Sequence, residues 1–328
     1  MARFEMIVFD WDGTLMDSTG FIAFCIQAAA RDLGLAAPSD EAARYIIGLG
    51  MQDAMNHALP DLTRERYDEM AERYRHHFLA HNLTLPLFPG IAELVRDLGA
   101  RSHLLAVATG KGRDGLNQAF KVTGIGDCFH GSRCADECFS KPHPQMLEEL
   151  MDEFGISKAS TLMIGDTTHD LLMAKNAGVA ALAVSYGAHP RDLLMAEAPL
   201  QCVDSVDELA AWLRERLICE GASLAEGGTG VRFEVNTAEG RVPAFVVRFA
   251  GQVHAYLNRC GHVPVEIDWQ KGRFFDAAGL YLVCATHGAL YAPESGRCLG
   301  GRCNGKGLVS VPVEERDGGI YLIESESE

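Results

Sequence analysis

Ile7-Val8-Phe9-Asp10-Trp11-Asp12-Gly13-Thr14-Leu15 decides how the larger part of this 328-residue chain folds. An apolar run of β-formers ends in an aspartate, and a second aspartate follows two residues later. Such runs read as a strand buried on both faces. Side chains alternate along an extended segment, so Asp10 and Asp12 leave the strand end pointing the same way. Two carboxylates that close repel each other unless a cation sits between them or one is protonated. The pair therefore points to a divalent metal with oxygen ligands, Mg²⁺ foremost. Gly13 lets the backbone turn, and Thr14 brings a hydroxyl to the same mouth. An acidic strand-to-loop turn would look the same in isolation, so the rest of the chain has to decide.

Going outward, the next convincing strand is 104–108. The interval between is far longer than a simple crossover needs. It reads as helical, with apolar spacing over 21–33, a second helix that Asp40 can cap, and a charged amphipathic stretch over 64–79. Residues 15–86 are therefore expected to form a helical cap inserted after the first strand. Helix and strand then alternate. Helices are expected over 91–98, 114–122, 145–154, up to 176, and 205–216, with strands at 162–164 and 180–184. Gly155 and Gly178 stand just past two of the helices. This alternation implies a mostly parallel sheet covered on both faces.

Ligands bind at the C-terminal ends of strands in such sheets. Thr109-Gly110-Lys111, Lys141-Pro142 and Gly165-Asp166-Thr167-Thr168-His169-Asp170 all fall there. Together with Asp10-x-Asp12-Gly13-Thr14, they resemble the four ordered motifs of the haloacid-dehalogenase-like (HAD) hydrolase superfamily. The resemblance covers residues 1–216, and the place of the helical insertion is similar to the subgroup that contains phosphoglycolate phosphatases. It implies a Rossmann-like α/β core and an Mg²⁺-dependent phosphomonoester hydrolase. Asp10 would be the nucleophile that forms an aspartyl-phosphate. Asp12 would be the general acid and base. Thr109 and Gly110 would hold phosphate oxygens, and Lys141 would neutralise charge. Mg²⁺ would be held by Asp10, the Asp12 backbone carbonyl and Asp166. Asp170 would either bind the metal through water or orient Lys141. Dehalogenases of the superfamily lack an aspartate where Asp12 stands. Phosphonate cleavage needs a cap lysine, and residues 15–86 contain none. A sugar phosphomutase shares the core carboxylates, but its usual cap lysine is missing too. The turn Gly48-Leu49-Gly50-Met51-Gln52 could lie over the site or simply join two helices. Arg113 could meet a second anionic group or sit at the surface.

After residue 216 the helical periodicity ends, and short strands separated by Gly/Pro turns suggest a small all-β domain over 217–328. Strands are expected at 231–235, 244–249, 252–257, 280–283, 308–313 and 319–323. Cys260-Gly261-His262 and Cys284-Ala285-Thr286-His287 make a metal site of two mixed pairs. A tetrahedral Cys₂His₂ zinc centre is one solution. The mixed spacing, with Gly288 directly after the second pair, resembles the Rieske [2Fe–2S] domain. That resemblance implies Cys260 and Cys284 on one iron, His262 and His287 on the other. Val263–Val265 and Ala285–Thr286 supply no loop-bridging disulfide. Ala289 offers sulfur no hydroxyl, whereas Tyr291 does. Arg302 stands where a proline is common in the covering loop. Cys298 and Cys303 are read as free thiols. Cys128, Cys134 and Cys138 are read as loop and core residues.

A formal charge of −16 argues against a nucleic-acid or anionic-membrane partner. A bound metal still permits an anionic substrate. No apolar run approaches the ~20 residues of a membrane span. With no leader-like segment ahead of the first strand, the expectation is a cytoplasmic protein. Its partners would be a small phosphorylated metabolite and a redox protein. Two other readings stay open: an electron-transfer protein whose first domain serves docking, and a sugar phosphomutase.

Overall fold

The computed structural model describes residues 4–323 apart from 81–84, 102, 215, 238–239, 304 and 317. The acidic tail at 324–328 lies outside the described residues. The chain divides into two compact units between Ala211 and Trp212.

The first unit is built on a sheet of β1 (Met6–Phe9), β2 (Leu104–Thr109), β3 (Gly131–Cys134), β4 (Thr161–Gly165), β5 (Ala180–Val184) and β6 (Cys202–Val203). Its order is β3-β2-β1-β4-β5-β6, and every pairing is parallel. The order reverses between β1 and β4, which is where an open α/β sheet leaves a crevice at its C-terminal edge. Helices α1 (Thr19–Asp32), α2 (Asp40–Tyr45), α3 (Met51–Ala58) and α4 (Tyr67–Ala80) form the insertion after β1. The helix α5 (Ile91–Ala100) leads into β2. After β2 come α6 (Arg113–Thr123), α7 (Gln145–Phe154), α8 (Thr168–Ala177), α9 (Arg191–Ala196) and α10 (Val206–Arg214).

Burial follows the alternation along β1. Met6 and Val8 face α7 and α8, packing with Met146, Leu147, Leu150, Met173 and Ala174. Ile7 and Phe9 point to the opposite face and are equally buried. The insertion has its own core of Ile22, Ile26, Ile46, Met55, Leu59 and Met70. Its two connecting strands of chain run together. The Asp17 amide donates to the Pro86 carbonyl at 3.0 Å, and the Phe88 amide to that of Leu15 at 3.0 Å.

Local details differ from expectation at identifiable points. Ser39 caps α2, its hydroxyl accepting from the Ala42 amide at 3.1 Å, and Asp40 is the first helical residue. The last helix begins at Val206 and ends at Arg214, rather than spanning 205–216. Strands β3 and β6 are short and were not expected.

The second unit contains three antiparallel three-stranded sheets. Its strands are β7 (Arg216–Glu220), β8 (Val231–Thr237), β9 (Gly240–Phe249), β10 (Gln252–Leu257), β11 (Leu282–Val283), β12 (Leu290–Tyr291), β13 (Cys298–Gly300), β14 (Val313–Arg316) and β15 (Gly319–Leu322). The sheet orders are β10-β9-β8, β11-β12-β13 and β14-β15-β7. The expected strand at 308–313 sits later, at β14, while β7, β12 and β13 are additional. Phe245 and Phe274 stack at 3.9 Å between centroids inside a core shared with Cys260, Cys284 and Tyr291. Among the described residues, no helix is long and apolar enough to cross a membrane.

Phe274 is fully buried. Phe274→Ala is expected to destabilise the second unit by about 3–5 kcal/mol, the range for emptying a buried aromatic site. Chemical denaturation followed through that unit's transition measures it.

Candidate active site and metal centres

Asp10 and Asp12 leave β1 at the switch point, and Asp166 leaves β4 beside them. Thr109 closes β2, and Lys141 precedes α7. Lys141 is fully buried. Its Nζ donates to Asp10 Oδ1 at 2.6 Å and to Asp170 Oδ1 at 2.7 Å. Burial works against its charge, but the two carboxylates outweigh that and hold it above the ordinary lysine range. Asp170 thus contacts Lys141 directly, as one of its two expected roles requires. Its other oxygen accepts from the Thr167 amide at 3.1 Å and hydroxyl at 2.7 Å.

Asp10 Oδ2 is buried and has no hydrogen-bond partner. Burial pushes the Asp10 carboxyl up to about 7; Lys141 pulls against this, and Asp170 and Asp12 add to it. Asp166 also lies well above its usual range, through burial and then the charges of Asp10 and Asp170. Thr14 Oγ1 donates to one of its oxygens at 2.8 Å and the Ala188 amide to the other at 2.7 Å. Gly13, at φ +83°, approaches Asp166 so closely that a Cβ there would overlap the carboxylate. Oxygens of Asp10, Asp166 and Asp170 lie within 4.8 Å of one another. Three buried carboxylates, with one oxygen unpartnered, suit a hard divalent cation. The Asp12 carboxylate is not in this group. It accepts from Ser18 Oγ at 2.6 Å and pairs with Lys111 at 2.9 Å, which leaves only its backbone carbonyl for the metal role expected of it.

The insertion closes onto this edge. The Tyr45 carbonyl, at the end of α2, accepts from His169 Nε2 at 2.7 Å and His189 Nε2 at 3.0 Å. The His189 Nδ1 accepts from the Thr168 amide at 3.0 Å, which fixes its tautomer. The Gly50 amide donates to Ser140 Oγ at 2.7 Å. A Cβ on Gly110 would lie 2.6 Å from the Gly48 carbonyl oxygen. The turn 48–52 therefore lies over the mouth and is more than a joint between helices. Beside it, a cleft of about 570 Å³ is lined by Tyr45, Asp53, His57, His143 and His169. Arg113 is held by protein partners. Its guanidinium binds Glu137 at 2.7 and 2.6 Å and Ser132 at 2.7 Å. Cys134 is a buried thiol pushed up to about 12, chiefly by burial, and Glu137 beside it is taken by Arg113.

In the second unit, ligating atoms of Cys260, Cys284 and His287 lie within 4.8 Å of one another. The His262 ring faces that of His287 at 4.4 Å, and His262 Nδ1 is buried without a partner. Three of the four expected ligands thus converge and His262 stands beside them, its unpartnered nitrogen fitting a metal centre. Tyr291 Oη lies 3.2 Å from Cys260 Sγ and accepts from the Gly261 amide at 3.0 Å. Burial disfavours the Cys260 thiolate, but hydrogen bonds from Tyr291 and the His262 amide outweigh it and lower its pKa. The covering loop packs closely despite Arg302: a Cβ on Gly261 would overlap the Lys306 carbonyl. Cys298 and Cys303 are joined as a disulfide, with Cα atoms 6.0 Å apart, which corrects their reading as free thiols. They flank a five-residue step that returns β13 to the loop, so the two sulfurs meet. The long interval between His262 and Cys284 is anchored by Asp268. That residue accepts from Arg232 Nε at 2.7 Å, Asn258 Nδ2 at 2.9 Å and the Gly272 amide at 2.8 Å.

Residues 7–184 match the family model described as haloacid dehalogenase-like hydrolase. The chain belongs to this family. Residues 216–313 match the Rieske [2Fe-2S] domain, so the hydrolase carries a C-terminal Rieske domain. The hydrolase is 36% identical over 210 residues to "Probable phosphatase IndB" of Dickeya dadantii, covering 62% of this chain and 91% of that one. It is 30% identical over 220 residues to a phosphoglycolate phosphatase of Vibrio parahaemolyticus, covering 62% and 94%. Among solved structures, a "predicted phosphoglycolate phosphatase" from Haemophilus somnus superposes with a TM-score of 0.57 at 26% identity, covering 64% and 97%.

Fewer hydrogen bonds to sulfur lower the potential of such a cluster. Tyr291→Phe removes the hydroxyl beside Cys260 and is expected to shift the cluster midpoint to lower potential, with the visible spectrum retained. An EPR-monitored redox titration reads the shift.

Proposed function

We propose that residues 1–216 form an Mg²⁺-dependent phosphomonoesterase that acts through an aspartyl-phosphate on a small phosphorylated metabolite of the phosphoglycolate kind. Residues 217–328 form an electron-carrying or redox-sensing module around a [2Fe–2S] cluster, served by a redox partner protein. One observation carries the first reading. Asp10 has one oxygen locked on Lys141 and the other buried and unpartnered, at the sheet's switch point. A carboxylate so placed is aimed and poorly solvated, as a nucleophile requires.

Asp10 attacks phosphorus while the bond from phosphorus to the alcohol oxygen breaks. Asp12 gives its proton to the departing oxygen. Ser18 orients that carboxyl. In the second half, Asp12 takes a proton from water, the water oxygen attacks phosphorus, and the bond to Asp10 breaks to free inorganic phosphate. Thr109, the Gly110 amide and Lys141 face the phosphoryl oxygens. Asp10, Asp166 and the Asp12 carbonyl would hold Mg²⁺, which neutralises carboxylate and phosphoryl charge. In the second unit, Cys260, Cys284, His262 and His287 would hold the cluster, which supplies one-electron transfer. A docking-only first unit has no need of Asp10, Asp12, Lys141 and Asp166 together. A phosphomutase would lack its cap lysine.

Asp10→Asn is expected to lower phosphate release from an aryl phosphate by about 10³-fold or more, with circular dichroism unchanged. Residual activity near wild type would remove Asp10 from the nucleophile role. The acidic limb of the rate profile is expected to follow Asp10. It acts ionised, so the rate rises with pH through about 7 at low Mg²⁺. A cation favours the carboxylate, so rising Mg²⁺ moves the limb to lower pH. A limb that ignores Mg²⁺ concentration contradicts this.

A further inference from the structure

We propose that Lys111 reads a second anionic group on the substrate, which selects short phosphorylated hydroxy acids over neutral phosphate esters. The inference rests on the phosphomonoesterase reading and names a residue for its specificity.

Position is the first argument. Lys111 stands two residues past the end of β2, and its amide donates to Thr109 Oγ1 at 3.2 Å. Its ammonium lies 2.9 Å from Asp12 Oδ1 and 5.5 Å from the centroid of the Phe78 ring on α4. It is therefore held between the acid of the core and the underside of the cap. Asp12 must reach the ester oxygen to protonate it, so the alcohol has to lie in that same space. An ammonium paired with Asp12 therefore stands beside the place the ester oxygen must take. Only a short alcohol can place its carboxylate there.

Availability is the second. Lys141 is committed to Asp10 and Asp170 and is fully buried. Arg113 is spent on Glu137 and Ser132, and Arg44 on Asp40 and Thr19. Lys111 has one carboxylate partner in these contacts and three donors to offer. Asp12 does not depend on it, because Ser18 donates to the same oxygen at 2.6 Å. Exchanging Asp12 for a substrate carboxylate replaces one charge-assisted bond by another. Without the ammonium, that carboxylate would lie against the Asp12 carboxylate with no cation of its own to meet it.

The test uses the full chain with Mg²⁺ and three probes: phosphoglycolate, its neutral amide, and 4-nitrophenyl phosphate. The reading is the ratio of kcat/KM for acid over amide within each protein, so a general loss of activity cancels. Wild type is expected to favour the acid by ~10-fold or more, the scale of one charge-assisted pair. In Lys111→Met and Lys111→Gln the ratio should fall to within ~3-fold of unity, chiefly through KM for the acid, while Lys111→Arg keeps a preference. A residue that merely steadied Asp12 would depress both esters alike and leave the ratio intact, which overturns the proposal. So does a wild type that releases phosphate from the nitrophenyl ester without preferring the acid. No release from any of the three by wild type overturns the phosphatase reading itself.

Discussion

Lys141 is the contact on which the rest of the first unit depends. Four carboxylates meet at the C-terminal edge of one sheet, and three of them are completely desolvated. Like charges at that spacing would drive the strand ends apart or force the acids to stay protonated. One buried ammonium bridges Asp10 and Asp170 and so ties β1 to the start of α8. Removing one partner of such a group leaves buried charge uncompensated, at a cost of about 3–5 kcal/mol. The same arrangement leaves Asp10 with a free oxygen and Asp166 with a raised pKa. A cation placed among these acids would relieve the crowding.

The backbone around these acids follows from that crowding. Gly13 takes a left-handed conformation and passes against Asp166 where no side chain fits. Gly110 likewise leaves no room for a side chain, receiving the Gly48 carbonyl of the cap. The two histidines on the Tyr45 carbonyl and the Ser140 contact with Gly50 then set the insertion on the core. The contact is also apolar: the Tyr45 ring stacks on His189, and Ala188 of the core packs into the insertion's own cluster.

How much of this was legible in the sequence depends on the range of the interaction. The β1 stretch, the alternating pattern and the motifs at strand ends are local signals, and they carry the fold and the candidate acids. Strand β3 was missed because Gly131-Ser132-Arg133-Cys134 has no apolar pattern; it is a strand because β2 pairs with it. Ser39 rather than Asp40 caps α2 because the choice between adjacent capping residues turns on one backbone angle. Lys111 was in view beside Thr109 and Gly110, but nothing local shows that its ammonium reaches Asp12, 99 positions earlier in the chain. Arg113 looked equally suited to an anion until Glu137 was seen to occupy it. The Cys298–Cys303 bond depends on how the loop after β13 returns, which spacing alone does not specify.

The second unit answers the opposite electrostatic problem. There the centre is surrounded by an apolar core of Phe245, Phe274, Ile267 and Tyr291. Two thiols and two imidazoles brought together in such surroundings have little reason to converge without a metal. Burial opposes thiolate at Cys260, and a nitrogen of His262 is left without a donor or acceptor. Among the described residues, three buried side-chain polar atoms lack a partner: Asp10 Oδ2 and Trp11 Nε1 in the first unit and His262 Nδ1 in the second. Folded proteins leave few buried polar atoms without partners. The Trp11 indole has no ligand chemistry, but the Asp10 oxygen and the His262 nitrogen suit a hard cation and an iron–sulfur cluster, and their unmet bonds support the proposal that each ligand binds there.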